Sequence, residues 1–254
     1  PKPSSAASDV YKRQVFERAR AEGRPTFAVG VAAYAASGFT RATLRGAEFV
    51  AAQTPAERVE VAYDLAESHP GSLIYCYLPE ADKAGHRYGL DSVQWVSALE
   101  EIDAALSRRV PPGVGVLVTS DHGMVDVPVH RQVVLEAEHL DGVRHIGGEP
   151  RMLHVYVEPD ADAAVVAERW RRDLEGLADV GTGQEAIASG FFGPEVTSAA
   201  ATRIGDVLVV ARGNGAVYDG TAADQRGRGM IGQHGGLTPE ERQVPLLRFG
   251  AFAR

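Results

Sequence analysis

Apolar residues along this chain fall into short unbroken runs, separated by stretches in which they recur every three or four positions. Val15 to Glu22 has the helical spacing and is closed by Gly23, and Phe27 to Ala32 is an apolar run that reads as a strand. Thr54 and Pro55 open a helix that extends to Ser68, with Thr54 as N-cap and Pro55 at the first helical position, where its missing N–H is no loss. Ser72 to Leu78 and Val114 to Thr119 are two further apolar runs without polar alternation, the pattern of strands covered on both faces. Between them, Ser92 to Arg109 reads as a helix carrying Val93, Val96, Leu99, Ile102 and Leu106 on one face, and Pro111, Pro112 and Gly113 end it. Strand, helix and strand in this order predict an α/β fold with a mostly parallel sheet and flanking crossover helices.

Beyond Val127 the texture changes. Leu153 to Val157 alternates like a half-buried strand, Ala161 to Leu174 reads as a helix, and Val180 to Ile187 as another strand. These elements predict a small α+β insertion at about 144–200. Asp206 to Ala211 returns to the buried-strand pattern, and Asp219 to Gly236, rich in Gly, Arg and polar residues, reads as a long active-site loop. The opening of the chain is different in kind. It has no initiator Met, the first methionine being Met124, and residues 4–14 resemble translated sequencing-adaptor sequence. Residues 1–14 are therefore set aside as non-native, and 15–254 are read as one catalytic domain that lacks its N-terminal part.

Charge narrows the partners. The net charge is −8 and no long basic stretch offsets it, which argues against a nucleic-acid duplex as ligand. An acidic protein still binds a phosphate ester when metal ions supply the positive charge. No apolar run approaches the ~20 residues that span a bilayer, so no membrane segment is expected. The one cysteine, Cys76, excludes an intramolecular disulfide and reads as a structural thiol inside a strand. That is compatible with the cytoplasm and leaves compartment and oligomeric state open.

Chemistry concentrates at strand ends. Asp82 and His86 follow the run that ends near Leu78, and Asp121 and His122 follow the run that ends at Thr119. Ligands of open α/β sheets bind beyond the carboxyl ends of the strands, so the two pairs are expected on one edge, with His234 joining from the Gly-rich loop. Imidazole mixed with carboxylate suits Zn²⁺, whereas a Mg²⁺ site would use fewer histidines. Two metals roughly 3.5–4 Å apart clamp the attacking and leaving oxygens of an in-line displacement at phosphorus.

These residues resemble a known family. Tyr77 to Gly89, containing Asp82 and His86, is similar to the segment of nucleotide pyrophosphatase/phosphodiesterases that gives two ligands to one zinc. Thr119 to Met124 is similar to the segment that gives two ligands to the other, and Gly232 to Glu241 to the closing motif whose His returns to the first zinc. The family lies in the alkaline phosphatase superfamily, and the likeness extends from about Val15 to Leu247. It implies two Zn²⁺, with Asp82, His86 and His234 on one and Asp121 and His122 on the other. It implies a small-molecule phosphodiester or nucleotide as substrate, attacked by a Thr or Ser that forms a covalent intermediate. That nucleophile and a further Asp belong upstream of Val15. Thr40 and Thr43 are not taken for it, because Gly38 to Gly46 resembles an ordinary downstream loop of the family. Arg151, after Gly148, Glu149 and Pro150, is a candidate contact for a substrate phosphate.

His130, His139, His145 and His154 lack partners at ligand spacing and read as surface or core histidines, and Tyr88 and Trp95 as packing residues. Two alternatives stay open: a phosphomonoesterase or phosphonate-cleaving relative of the same superfamily, and a catalytically incomplete metal-binding fragment.

Overall fold

A computed structural model describes residues 15–253, which divide into two compact units. Residues 1–14, set aside above, lie outside the described part. The first unit comprises the chain up to Asp82, then Val96–Val118, and the residues from Leu246 onward; the second comprises Lys83–Trp95 and Thr119–Pro245.

The first unit opens with α1 (Val15–Ala21), β1 (Thr26–Gly30), α2 (Gly38–Thr43) and β2 (Glu48–Ala51). It continues with α3 (Pro55–Ser68) and β3 (Leu73–Cys76). β1 is the middle strand of a parallel sheet in the order β2-β1-β3, with Phe27 opposite Glu48 on one side and Ile74 on the other, and it is buried throughout. Thr54 and Glu57 form a reciprocal capping box at the start of α3, the reason this helix is legible from sequence. α2 was expected to be loop. It is helical because Ser37 caps it, its hydroxyl accepting from the Thr40 amide at 3.0 Å. β2 went unread, its four residues offering too short a pattern.

The side chain of Arg58 on α3 is fully buried, donates to the Gln53 carbonyl at 2.8 Å and pairs with Glu80. Glu80 opens α4 (Glu80–Tyr88). The Arg58–Glu80 ion pair thus fixes the first turn of the helix that carries Asp82 and His86.

α5 (Val93–Leu106) and β4 (Gly115–Thr119) complete the expected strand-helix-strand order, with one correction. The sheet of β1 ends at β3, so β3 and β4 are not the strands covered on both faces that their apolar runs suggested. Tyr75 and Leu117 are exposed, as are Val93, Val96 and Leu99 on the apolar face of α5, whose buried residues are Ala98 and Ala105.

The second unit contains β5 (Val125–Asp126), β6 (Gln132–Leu135), β7 (Val143–Glu149) and β8 (Met152–Val157). α6 (Ala163–Asp173), β9 (Ala178–Thr182), α7 (Gly183–Ala188) and α8 (Ser198–Ala201) follow. Then come β10 (Val207–Ala211), β11 (Ala216–Asp219), β12 (Gly232–Gln233) and α9 (Pro239–Arg242). Four strands form an antiparallel sheet in the order β7-β8-β10-β9, while β11 pairs parallel with β6 and β12 antiparallel with β5. The main core packs Trp170 and Leu174 of the α6 region against Val155, Val207 and Val209, with Leu135 and Val217 joining from the β6–β11 pair. The Trp170 indole N–H donates to the His139 carbonyl at 2.9 Å, so its burial leaves no polar cost.

The small α+β part is longer than expected. β10, which returns to the buried-strand pattern, lies between β8 and β9. An inner strand covered on both faces is apolar throughout whichever sheet it joins, so the pattern could not distinguish one sheet from another. Likewise Val180 to Ile187 is not one strand: Thr182 and Glu185 form a capping box that starts α7. Among the described residues, no helix is long and apolar enough to cross a membrane.

β13 (Leu246–Gly250) returns the chain to the first unit and pairs with β4. In β3, burial pushes the Cys76 thiol up to about 11. At pH 8 it is therefore protonated, and alkylation of the folded chain by iodoacetamide should be at least about tenfold slower than of a free cysteine with its ordinary pKa near 8.5. Mass spectrometry of a timed reaction, with the urea-unfolded chain as reference, checks this.

Candidate metal centre

Asp82 and His86 are four residues apart on α4, so both project from one face, a turn apart. Met124, on the loop before β5, and Gly232, at the start of β12, lie against Gly85 between them. A Cβ on Gly232 would collide with the Gly85 carbonyl and the Met124 sulfur, so only glycine lets β12 run this close to the helix. Two hydrogen bonds use that closeness: the Ile231 amide donates to the His86 carbonyl at 2.8 Å, and His86 Nδ1 lies 2.8 Å from the Gly232 carbonyl. His234 follows two residues after Gly232. One ligand atom each of Asp82, His86 and His234 then lies within 4.8 Å of the others, all three side chains being half-buried.

His122 is brought to the same place. Its ring stacks on that of His234, centroids 3.6 Å apart, and the His86 ring stands 5.1 Å from His234. His122 Nδ1 lies 2.8 Å from the Gly123 carbonyl, and the Ser120 hydroxyl donates to the His122 carbonyl. Gly123 also demands glycine, because a Cβ there would fall on the Glu240 carbonyl; the Gly123 amide instead donates to the Glu241 carbonyl at 2.8 Å. Asp121 is the outlier: its carboxylate is 80% exposed and stands 3.8 Å from His122 Nε2. Among the described residues, the groups that could hold a metal with three ligands reduce to Asp82, His86 and His234.

The hydrogen bonds define the chemistry. An imidazole whose Nδ1 faces a carbonyl carries its proton there, and its Nε2 lone pair is the ligand. His86 and His122 both have that arrangement. The two imidazoles and one carboxylate of His86, His234 and Asp82, at these separations, suit a divalent transition-metal cation.

Arg151 does not have the place expected for a phosphate contact. Its side chain is 0% exposed. Nε donates to Glu241 Oε1 at 2.6 Å, Nη2 to Glu241 Oε2 at 2.7 Å and to the Gly213 carbonyl at 2.8 Å, and Nη1 to the Gly215 carbonyl. Four of its five N–H donors are thereby committed inside the protein. Glu241 in turn accepts from the Gly236 amide at 2.8 Å and from Thr238. Burial pushes its carboxyl up, but the hydrogen bonds from Arg151, Gly236 and Thr238 outweigh this and hold it below its ordinary value of 4.5.

Three other histidines make contacts within the fold. His139 Nδ1 accepts from the Glu136 amide, His154 Nδ1 from the Gly205 amide, and His145 stacks on Tyr156. Of the tempting hydroxyls, that of Thr40 accepts from Ser37 and that of Thr43 donates to the Phe39 carbonyl. Sequence reasoning missed Glu149 and the role of Glu241. Thr238 and Glu241 spell a capping box, which was a readable signal; Glu149 offered none.

The α/β architecture thus carries a cluster of one carboxylate and two imidazoles that could hold a metal ion. The chain belongs to the type I phosphodiesterase/nucleotide pyrophosphatase family, whose model matches residues 11–237. No curated protein sequence matches it. Among solved structures it is similar to murine ectonucleotide pyrophosphatase/phosphodiesterase 5 in complex with AMP, with TM-score 0.65 and 16% identity over 93% of this chain. It is likewise similar to phosphonoacetate hydrolase from Sinorhizobium meliloti in complex with phosphonoformate, with TM-score 0.66 and 18% identity over 92% of this chain. The chain spans 63% of the length of the murine protein and 67% of that of the hydrolase.

Two outcomes follow from the packing. Gly232→Ala should cost about 1–3 kcal/mol by overpacking against Gly85 and Met124, read from denaturant unfolding of the metal-free chain. Glu241→Gln strands a buried guanidinium and should cost about 3–5 kcal/mol at pH 7. Because the Glu241 pKa is depressed, its contribution is fully present above 4.5 and is lost as pH falls through the folded value. The stability gap between parent and variant should therefore narrow below pH 4.5, as a pH series of unfolding curves would reveal.

Proposed function

We propose that the whole protein is a two-zinc phosphodiesterase or nucleotide pyrophosphatase, and that this chain supplies most of its metal ligands. One observation carries the reading: Asp82, His86 and His234 converge, with the His122 ring against His234. Asp82, His86 and His234 would hold one zinc, and Asp121 and His122 would give two ligands to the other. Bound zinc supplies Lewis-acid polarisation of a phosphoryl oxygen and lowers the pKa of an attacking hydroxyl. The protein's own part is to present Nε2 of the imidazoles and to hold three separate segments in register behind them. A Thr or Ser from a segment preceding Val15, together with a further Asp, would complete the second site and form the covalent intermediate. The substrate is a small-molecule phosphodiester or nucleotide. A net charge of −8 disfavours a nucleic-acid duplex.

A second reading is a monoesterase or phosphonate-cleaving enzyme. It is favoured by the fold likeness to phosphonoacetate hydrolase, which is as close as that to the murine protein. Turnover separates the two. The protein expressed from its full reading frame should hydrolyse bis(p-nitrophenyl) phosphate faster than p-nitrophenyl phosphate, lose activity in EDTA and regain it with zinc. Faster monoester turnover would overturn the diester reading. Elemental analysis giving one tightly held zinc per chain, with no turnover of either ester, would identify a metal-binding fragment instead.

A further inference from the structure

The histidines of the metal centre are not all supported in the same way. Behind Nδ1 of His86 and of His122 stands a backbone carbonyl. Behind Nδ1 of His234 stands a carboxylate, Glu149 Oε2, at 3.3 Å. Glu149 is the last residue of β7, at the tip of the hairpin to β8. The rest of that tip grips neighbouring backbone: the Pro150 carbonyl accepts from the Val217 amide at 2.7 Å, and Arg151 reaches through Glu241 to the amide of Gly236, two residues after His234. One hairpin tip therefore touches the His234 segment at the ligand itself and, through Glu241, just beyond it.

We infer that Glu149 is a positioning residue for His234. Its carboxylate takes the hydrogen bond of the Nδ1 proton and holds the imidazole in the tautomer whose Nε2 serves the metal. It also makes that nitrogen more basic. Carboxylates behind metal-bound histidines act in this way, and their loss weakens metal binding about 10–100-fold. The Glu149 side chain is 55% exposed, so it is free to rotate the few tenths of an ångström that a normal hydrogen bond requires. Glu149 is thus assigned to the metal centre although it lies in the small α+β part. The inference rests on the zinc reading of the site.

Zinc affinity of the chain tests it directly. Parent, Glu149→Ala, Glu149→Gln and, as a control, Asp82→Ala are stripped with chelator. Each is titrated with Zn²⁺ against a chromophoric chelator and with Co²⁺ by visible absorption. Glu149→Ala should bind zinc about 10–100-fold more weakly and alter the Co²⁺ bands, with the thermal midpoint of the metal-free protein unchanged. Glu149→Gln, whose amide oxygen still accepts from Nδ1, should recover part of the loss. Equal affinity and spectra in parent and Glu149→Ala would overturn the inference. So would a loss matched by a lower metal-free midpoint, which would make Glu149 a purely structural residue. A parent that binds no zinc would instead defeat the zinc reading, and this inference with it.

Discussion

The Arg151–Glu241 ion pair is where the second unit is tied together. Both side chains are buried, and removing two such charges from water costs several kcal/mol per ion unless every donor and acceptor finds a partner. Here the partners are backbone: the carbonyls of Gly213 and Gly215 for the guanidinium, the amide of Gly236 for the carboxylate. The Glu241 carbonyl adds the Gly123 amide. Four stretches far apart in sequence meet at one pair. A pair of this kind adds little net stability over an apolar substitute, but its geometry is directional where an apolar contact is not. The segments that carry His122 and His234 are both hydrogen-bonded to Glu241, which accounts for their rings lying in contact.

Close backbone approach is the second constraint. β12 lies against α4 because neither Gly85 nor Gly232 has a side chain, and the loop after His122 lies against α9 because Gly123 has none. These contacts let carbonyl oxygens, instead of side chains, set the tautomers of His86 and His122. The candidate ligands are then placed by the backbone, which adjusts less than side chains do. Arg58, paired with Glu80, performs the matching task at the opening of the ligand helix.

Much of this was legible. The helix from Pro55 to Ser68 carries its own capping box, and the three motifs stand next to apolar runs or in a Gly-rich stretch, so Asp82, His86, Asp121, His122 and His234 could be named as candidate ligands from spacing and family likeness. Misreadings occurred where a local pattern fits two structures. The run of β10 is apolar because the strand is covered on both faces, and nothing in it tells an antiparallel sheet from a parallel one. The apolar face of α5 is real, yet it is exposed, since amphipathic spacing records what a helix can bury and not what lies against it.

What the sequence determined by itself was therefore the kind of candidate site: imidazole and carboxylate are the candidate ligand types, and residue spacing on one helix or after one strand is a local property. Tertiary structure alone decided which of those residues meet and what holds them. Asp121 is exposed beside a His122 that is drawn inward, Arg151 is committed to Glu241 instead of a phosphate, and Glu149 stands behind His234. The reason is range. A cap or a helical repeat acts over a few residues, whereas His86 and Gly232 are 146 positions apart and meet only because glycine removes the atoms that would keep their backbones separate.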